Sequence, residues 1–142
     1  MDGAAGTDLG MTLEELAENF SNLDDWEDKY AMVIDLGRKL PPLATEDRNE
    51  HTRVRGCQSQ VWLVEDVDAN GRIHLRGDSD ALIVRGLVAV MLLIFSGKTA
   101  AEIRSIDAQK ILDGLGLRAH LSPQRANGLF SMVERIQRLA GA

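Results

Sequence analysis

Residues 80–95 are apolar almost all the way round a helix, with Asp80 at the start and Arg85 the only charge further in. A helix without a polar face has to be covered on every side. The rest of the chain must therefore supply layers that wrap this segment. Its most apolar part, residues 87–95, is far shorter than the ~20 residues needed to span a bilayer. The expected role is the central core helix of a globular domain. A chain of 142 residues, 44% of them hydrophobic, is long enough for one such core.

The flanking segments indicate what covers that helix. Residues 60–67 form a strand-like run of Val, Trp and Leu, and residues 72–76 alternate Ile73 and Leu75 with polar side chains. Asn70-Gly71 between them is a strong hairpin signal, because both residues tolerate positive φ. Residues 52–55 are expected to supply a third antiparallel strand, and Ser79 or Asp78 to cap the core helix.

Helix starts are marked by Thr12 with Glu15, Asp24 with Glu27, Thr99 with Glu102, Asp107, and Ser122-Pro123. Pro41-Pro42 stops the second helix, whose buried face is read as Trp26, Tyr30, Val33, Ile34 and Leu40. Gly97 ends the core helix, and the helix after Asp107 ends near residues 114–116. The last helix places Ala126, Leu129, Phe130, Val133, Ile136 and Ala140 on one face. Helices, a small antiparallel sheet, then helices make an α+β arrangement in a single domain over residues 11–142, preceded by a mobile tail over residues 1–10.

The net charge of −6 argues against nucleic acid and anionic membranes, which require clustered Lys and Arg. No export signal is visible at the small, polar, acidic start, and one cysteine fits a reducing cytoplasm.

Cys57 stands alone in Val54-Arg55-Gly56-Cys57-Gln58-Ser59-Gln60-Val61-Trp62. A single thiol can form no intramolecular disulfide and no cysteine metal cluster. It serves either as a small apolar filler or as one reactive sulfur. The polar neighbours favour the second use: Gly56 permits a tight turn, and Arg53 and Arg55 are placed to stabilise a thiolate. A hydrolase would need a histidine base, and nothing in the spacing links His51, His74 or His120 to Cys57. One cysteine and three scattered histidines show no zinc spacing. Trp26 and Tyr30 are read as core. Capping does not require Asp80, and Arg125 is unfavourable in a first helical turn. Arg125 is thus free to pair with Asp80 or the Cys57 loop, or simply to be solvated.

Several motifs resemble the SufE-type sulfur acceptors that work with cysteine desulfurases in iron–sulfur cluster assembly. They are Asp25-Trp26-Glu27-Asp28-Lys29-Tyr30, Leu36-Gly37-Arg38-Lys39-Leu40-Pro41, Arg55-Gly56-Cys57-Gln58-Ser59-Gln60-Val61-Trp62 and Gly77-Asp78-Ser79-Asp80-Ala81. Val84-Arg85-Gly86-Leu87 and His120-Leu121-Ser122-Pro123-Gln124-Arg125-Ala126-Asn127-Gly128-Leu129 follow in the family's order. Arg85 stands where lysine is also common, and Gln124 and Ala126 vary the last motif.

The resemblance implies a three-stranded antiparallel sheet packed on helices, shared with IscU-type scaffolds. It implies that Cys57 accepts sulfane sulfur as a persulfide, with Arg55, Gly56, Gln58 and Ser59 forming its loop. Asp80 and Arg125 would influence that loop and partner docking. The implied partners are a pyridoxal-phosphate-dependent desulfurase of SufS or CsdA type and a downstream scaffold of SufBCD type, and the chain needs no cofactor of its own. The thiol would rest in a sheltered pocket, with residues 50–59 moving when the partner binds. The resemblance does not separate the SufE branch from the CsdE branch. The competing readings are an IscU-like cluster scaffold, which wants three or more ligands, and a thiol redox sensor, which favours a resolving cysteine.

Overall fold

A computed structural model describes residues 9–57 and 59–141. Among these residues the chain forms α1 (Leu13–Ser21), α2 (Trp26–Arg38), a 3-10 turn (Thr45–Asp47), β1 (Val61–Val67) and β2 (Arg72–Ser79). These are followed by α3 (Leu82–Phe95), β3 (Lys98–Thr99), α4 (Ala100–Ser105), α5 (Ala108–Leu115), α6 (Leu117–His120) and α7 (Pro123–Leu139). The sheet is antiparallel with order β1-β2-β3. The expected α+β class and three-stranded sheet are present.

The core helix is α3. Its Leu87, Val88, Val90, Met91, Ile94 and Phe95 are all buried, and α2, α7 and β2 pack around it. Each such side chain contributes roughly 1.5–3 kcal/mol of hydrophobic stabilisation. The approach of α2 to α3 depends on two glycines. A Cβ at Gly86 would lie 2.3 Å from the Val33 carbonyl oxygen, and one at Gly37 would lie 2.6 Å from the Gly86 nitrogen. Side chains at these positions would hold the helix axes apart.

Helix α3 starts at Leu82, later than expected, with Ala81 at the N-cap and no side-chain cap. Ser79 and Asp78 belong to β2, and their side chains bond elsewhere. Asp78 is 2% exposed. Its Oδ2 accepts from Leu43 N at 3.1 Å and Arg48 Nη2 at 2.8 Å, and Arg85 Nε lies 3.3 Å from its Oδ1. The carboxylate therefore ties the end of β2 to the segment after α2 and to α3. A buried ion needs such partners.

The third strand is also differently placed. Lys98–Thr99 pairs with β2, whereas residues 52–54 add only a single bridge, Arg53 to Trp62, on the β1 side. Val54 N donates to Val61 O at 2.8 Å and Leu63 N to Thr52 O at 2.9 Å, and then Gly56 turns the chain away.

The hairpin forms with Val67 opposite Ile73. Only Gly71 adopts positive φ, at +79°, while Asp68 takes over much of the turn. Its Oδ1 accepts from Asn70 N and Arg72 N, and its Oδ2 meets His74 Nε2 at 2.8 Å. The His74 contact, then these backbone donors, hold the Asp68 carboxyl below its ordinary pKa. His74 itself is buried.

The α1, α4, α5 and α7 caps lie on the expected residues, Thr12, Thr99, Asp107 and Ser122. For α2 the cap is Asp25 rather than Asp24. The chain does not leave helical geometry for long after α5: Gly116, at φ +75°, joins it to the short α6. Residues 1–8 of the expected tail lie outside the described residues, whereas Leu9 is 3% exposed and packs into the core. Among the described residues no helix is long and apolar enough to cross a membrane.

Candidate functional site

The turn carrying Cys57 leaves a well-held base. Asn49 Oδ1 accepts from His51 N at 2.8 Å and Thr52 N at 3.1 Å, and Thr52 Oγ1 donates to Asp47 O at 2.6 Å. Val54 is buried and paired to β1. Gly56 follows at φ +90°, and a Cβ there would lie 2.4 Å from Ser131 Oγ. Glycine is therefore required twice over, by conformation and by space. On the far side of the turn, Gln60 N donates to Asp80 Oδ1 at 3.1 Å, and Gln60 O accepts from Ser79 Oγ at 2.7 Å. Asp80 thus acts on the loop through its backbone.

Between these two supports Cys57 is half-buried against α7. Its Sγ donates to the Gly128 carbonyl at 3.6 Å. Burial raises the thiol pKa above its ordinary value, and the positive charge of Arg53 opposes that rise. Burial thus favours the neutral thiol, and a rise in pH or a more hydrated setting favours the nucleophilic thiolate.

The thiol faces a cavity of about 240 Å³ with an apolar floor of Val84, Leu87 and Met132. Ser59, Ser122, Gln124 and Arg125 form its polar wall. One small polarisable group attached to sulfur fits this space, and the wall offers donors to an anion.

The structure brings Cys57, Ser59 and Arg125 together around one cavity, with Gly56 shaping the turn and Asp80 holding its end. Arg125 forms no ion pair with Asp80 among the described residues. Arg55 points away to Glu50 at 2.8 Å with both side chains exposed, so Arg53 is the arginine whose charge reaches the thiol. Gln58 lies outside the described residues. Among the described residues no histidine bonds to Cys57. His120 stacks on Trp26, with ring centroids 4.0 Å apart, and its Nδ1 meets Gly116 O. Tyr30 donates its hydroxyl hydrogen to the His120 carbonyl. Among the described residues no group of three or more His, Cys, Asp or Glu side chains is placed to hold a metal ion.

Of Gly128, Ser131 and Arg135, sequence reading named Gly128 only within the last motif, with no role against the thiol, and did not single out the other two. Their spacing of three and four residues along α7 was a signal for one helix face, and that face meets the Cys57 turn.

A three-stranded sheet against a buried helix, with a single thiol turned into a cavity beside the last helix, defines a small α+β protein built around one cysteine. The chain belongs to the SufE family: the family model described as an Fe-S metabolism associated domain matches residues 14–140. It is 50% identical over 129 residues to a SufE-like protein of Rhizobium etli, covering 89% of this chain and 87% of that protein. A SufE-like protein of Rhizobium meliloti is 49% identical over 129 residues, covering 89% and 92%. The solution structure of a hypothetical protein from Thermus thermophilus shares the fold with a TM-score of 0.73. It covers 92% of this chain and 96% of that one at 22% identity.

Proposed function

We propose that this protein accepts sulfane sulfur on Cys57 from a cysteine desulfurase and hands it on for iron–sulfur cluster assembly. The observation that carries this reading is the lone thiol turned into a cavity with room beyond the sulfur. Membership in a family associated with Fe–S metabolism supports it.

The chemistry is thiol exchange on a persulfide. The Cys57 thiolate attacks the outer sulfur of the desulfurase persulfide. The new S–S bond forms as the donor's S–S bond breaks, and the electron pair leaves with the donor thiolate. Cys57 then carries the persulfide and no net oxidation occurs. In the free protein the half-buried thiol, its pKa raised by desolvation, is a poorer nucleophile than a hydrated one. Docking of the desulfurase would draw Cys57 from the cavity, hydrate it and raise its thiolate fraction. Return to the cavity would shelter the persulfide from small reductants. Asp80 would hold the turn and Arg125 would meet the carried sulfur or the partner. The partner is a pyridoxal-phosphate enzyme of SufS or CsdA type and the downstream acceptor a SufBCD-type scaffold, in a reducing cytoplasm. The chain turns over only between these proteins and is not an enzyme by itself.

Desulfurase turnover with the wild-type protein and with Cys57→Ser tests this reading. Stimulation is expected only with the wild type, together with a gain of one sulfur atom on Cys57 by mass spectrometry. Full stimulation by Cys57→Ser would refute it.

A further inference from the structure

One face of α7 follows the chain into the Cys57 turn. A Cβ at Gly128 would lie 3.4 Å from Cys57 Sγ, and Ser131 fills the space beside Gly56. Arg135, one turn further on, donates from Nη1 to the Arg53 carbonyl at 2.9 Å and from Nη2 to the His51 carbonyl. Helix positions 128, 131 and 135 thus meet loop positions 57, 56 and 53 in reverse order.

The two carbonyls lie on the edge of residues 51–53 that meets α7. On the other edge Thr52 O and Val54 N bond to β1. The guanidinium fork matches the spacing of the carbonyls, and its charge strengthens both bonds. The side chain is half-buried and reaches across from a different element more than eighty residues away in sequence.

We propose that Arg135 is a positioning residue for Cys57: by holding the carbonyls of His51 and Arg53 it fixes where the chain enters the turn and thereby seats the thiol in its cavity. A neutral or shorter side chain frees both carbonyls and leaves the segment to its bonds with β1 and Asn49, and the entry to the turn wanders. This inference deepens the reading of Cys57 as a sulfur acceptor and rests on it for its biological meaning, but the geometry is testable without any partner.

The test compares wild type, Arg135→Ala and Arg135→Lys as free proteins. Cys57 is labelled with iodoacetamide below the urea transition, and amide exchange is read at Val54 and in α3. Loss of the fork is expected to speed labelling about tenfold and to speed exchange at Val54, while α3 amides keep their protection. Arg135→Lys, with a single cationic donor group, should fall between the two. A merely structural role would slow or speed both regions together. If Arg135→Ala does not fold, Arg135→Gln is read in its place with the same expectations. Wild-type labelling and wild-type Val54 exchange in a folded Ala or Gln variant would overturn the proposal. That result would leave the acceptor reading standing, whereas full desulfurase stimulation by Cys57→Ser would remove the acceptor reading and leave the labelling result intact.

Discussion

The Cys57 sulfur lies 3.6 Å from the carbonyl oxygen of Gly128, and a methyl group on residue 128 would approach that sulfur to 3.4 Å. The last helix is therefore the wall against which the thiol rests, and the absent side chain at residue 128 is part of the thiol's space.

Gly128→Ala separates thiol position from fold stability. Alanine in a helix gains about 0.5–1 kcal/mol over glycine, which offsets the tighter contact with the turn. The urea midpoint is expected to stay close to wild type. Iodoacetamide should label Cys57 faster, because the turn, held at its two ends, gives way more easily than the helix. Unchanged labelling would show that the cavity absorbs the methyl.

The pH dependence of labelling follows from burial and Arg53. The midpoint should lie above that of an unfolded cysteine in urea, and Arg53→Ala should move it higher still by removing the opposing positive charge. The folded state favours the protonated thiol. Its contribution to stability is therefore fully present below the ordinary thiol pKa and is lost as pH rises through the higher folded value. A folded-state midpoint at or below the unfolded one would contradict this order.

The α2–α3 contact should be intolerant of a single methyl. In Gly86→Ala the new carbon would meet both the Val33 carbonyl oxygen at 2.3 Å and Val33 Cγ1 at 2.6 Å. Backbone cannot swing aside as a side-chain end can. A loss of about 3 kcal/mol in urea unfolding is expected, against the stabilisation that the same substitution brings to an exposed helix. A wild-type midpoint would mean that the helices part at little cost.

Much of the fold was legible because its signals are local. Thr12, Thr99, Asp107 and Ser122 cap helices through side chains three residues from their targets, and that spacing is readable in any chain. The apolar girth of residues 82–95 demanded a central place for the helix. Asp78 and Ser79 misled the reading of the α3 start because a good capping residue is also a good partner for a distant group. Arg48, Arg85 and Gln60 claimed them first. The third strand was misplaced for a similar reason: two β residues, Lys98–Thr99, are too few to leave a periodic pattern.

By itself the sequence determined the starts of α1, α4, α5 and α7, the hairpin, the core helix and a single thiol set in a polar turn, together with a family resemblance that spans nearly the whole chain. Each of these depends on neighbours along the chain or on the count of a residue type. The tertiary structure decided which arginine's charge opposes the rise in the thiol pKa, Arg53, while Arg55 pairs with Glu50. It also decided that Gly128, Ser131 and Arg135 face the turn and that Asp80 holds the Gln60 backbone. The contacts of α7 and of Asp80 with the turn join residues about twenty to more than eighty positions apart. Only the packing of α7 and α3 around the sheet brings them within bonding distance, and no local pattern records that packing.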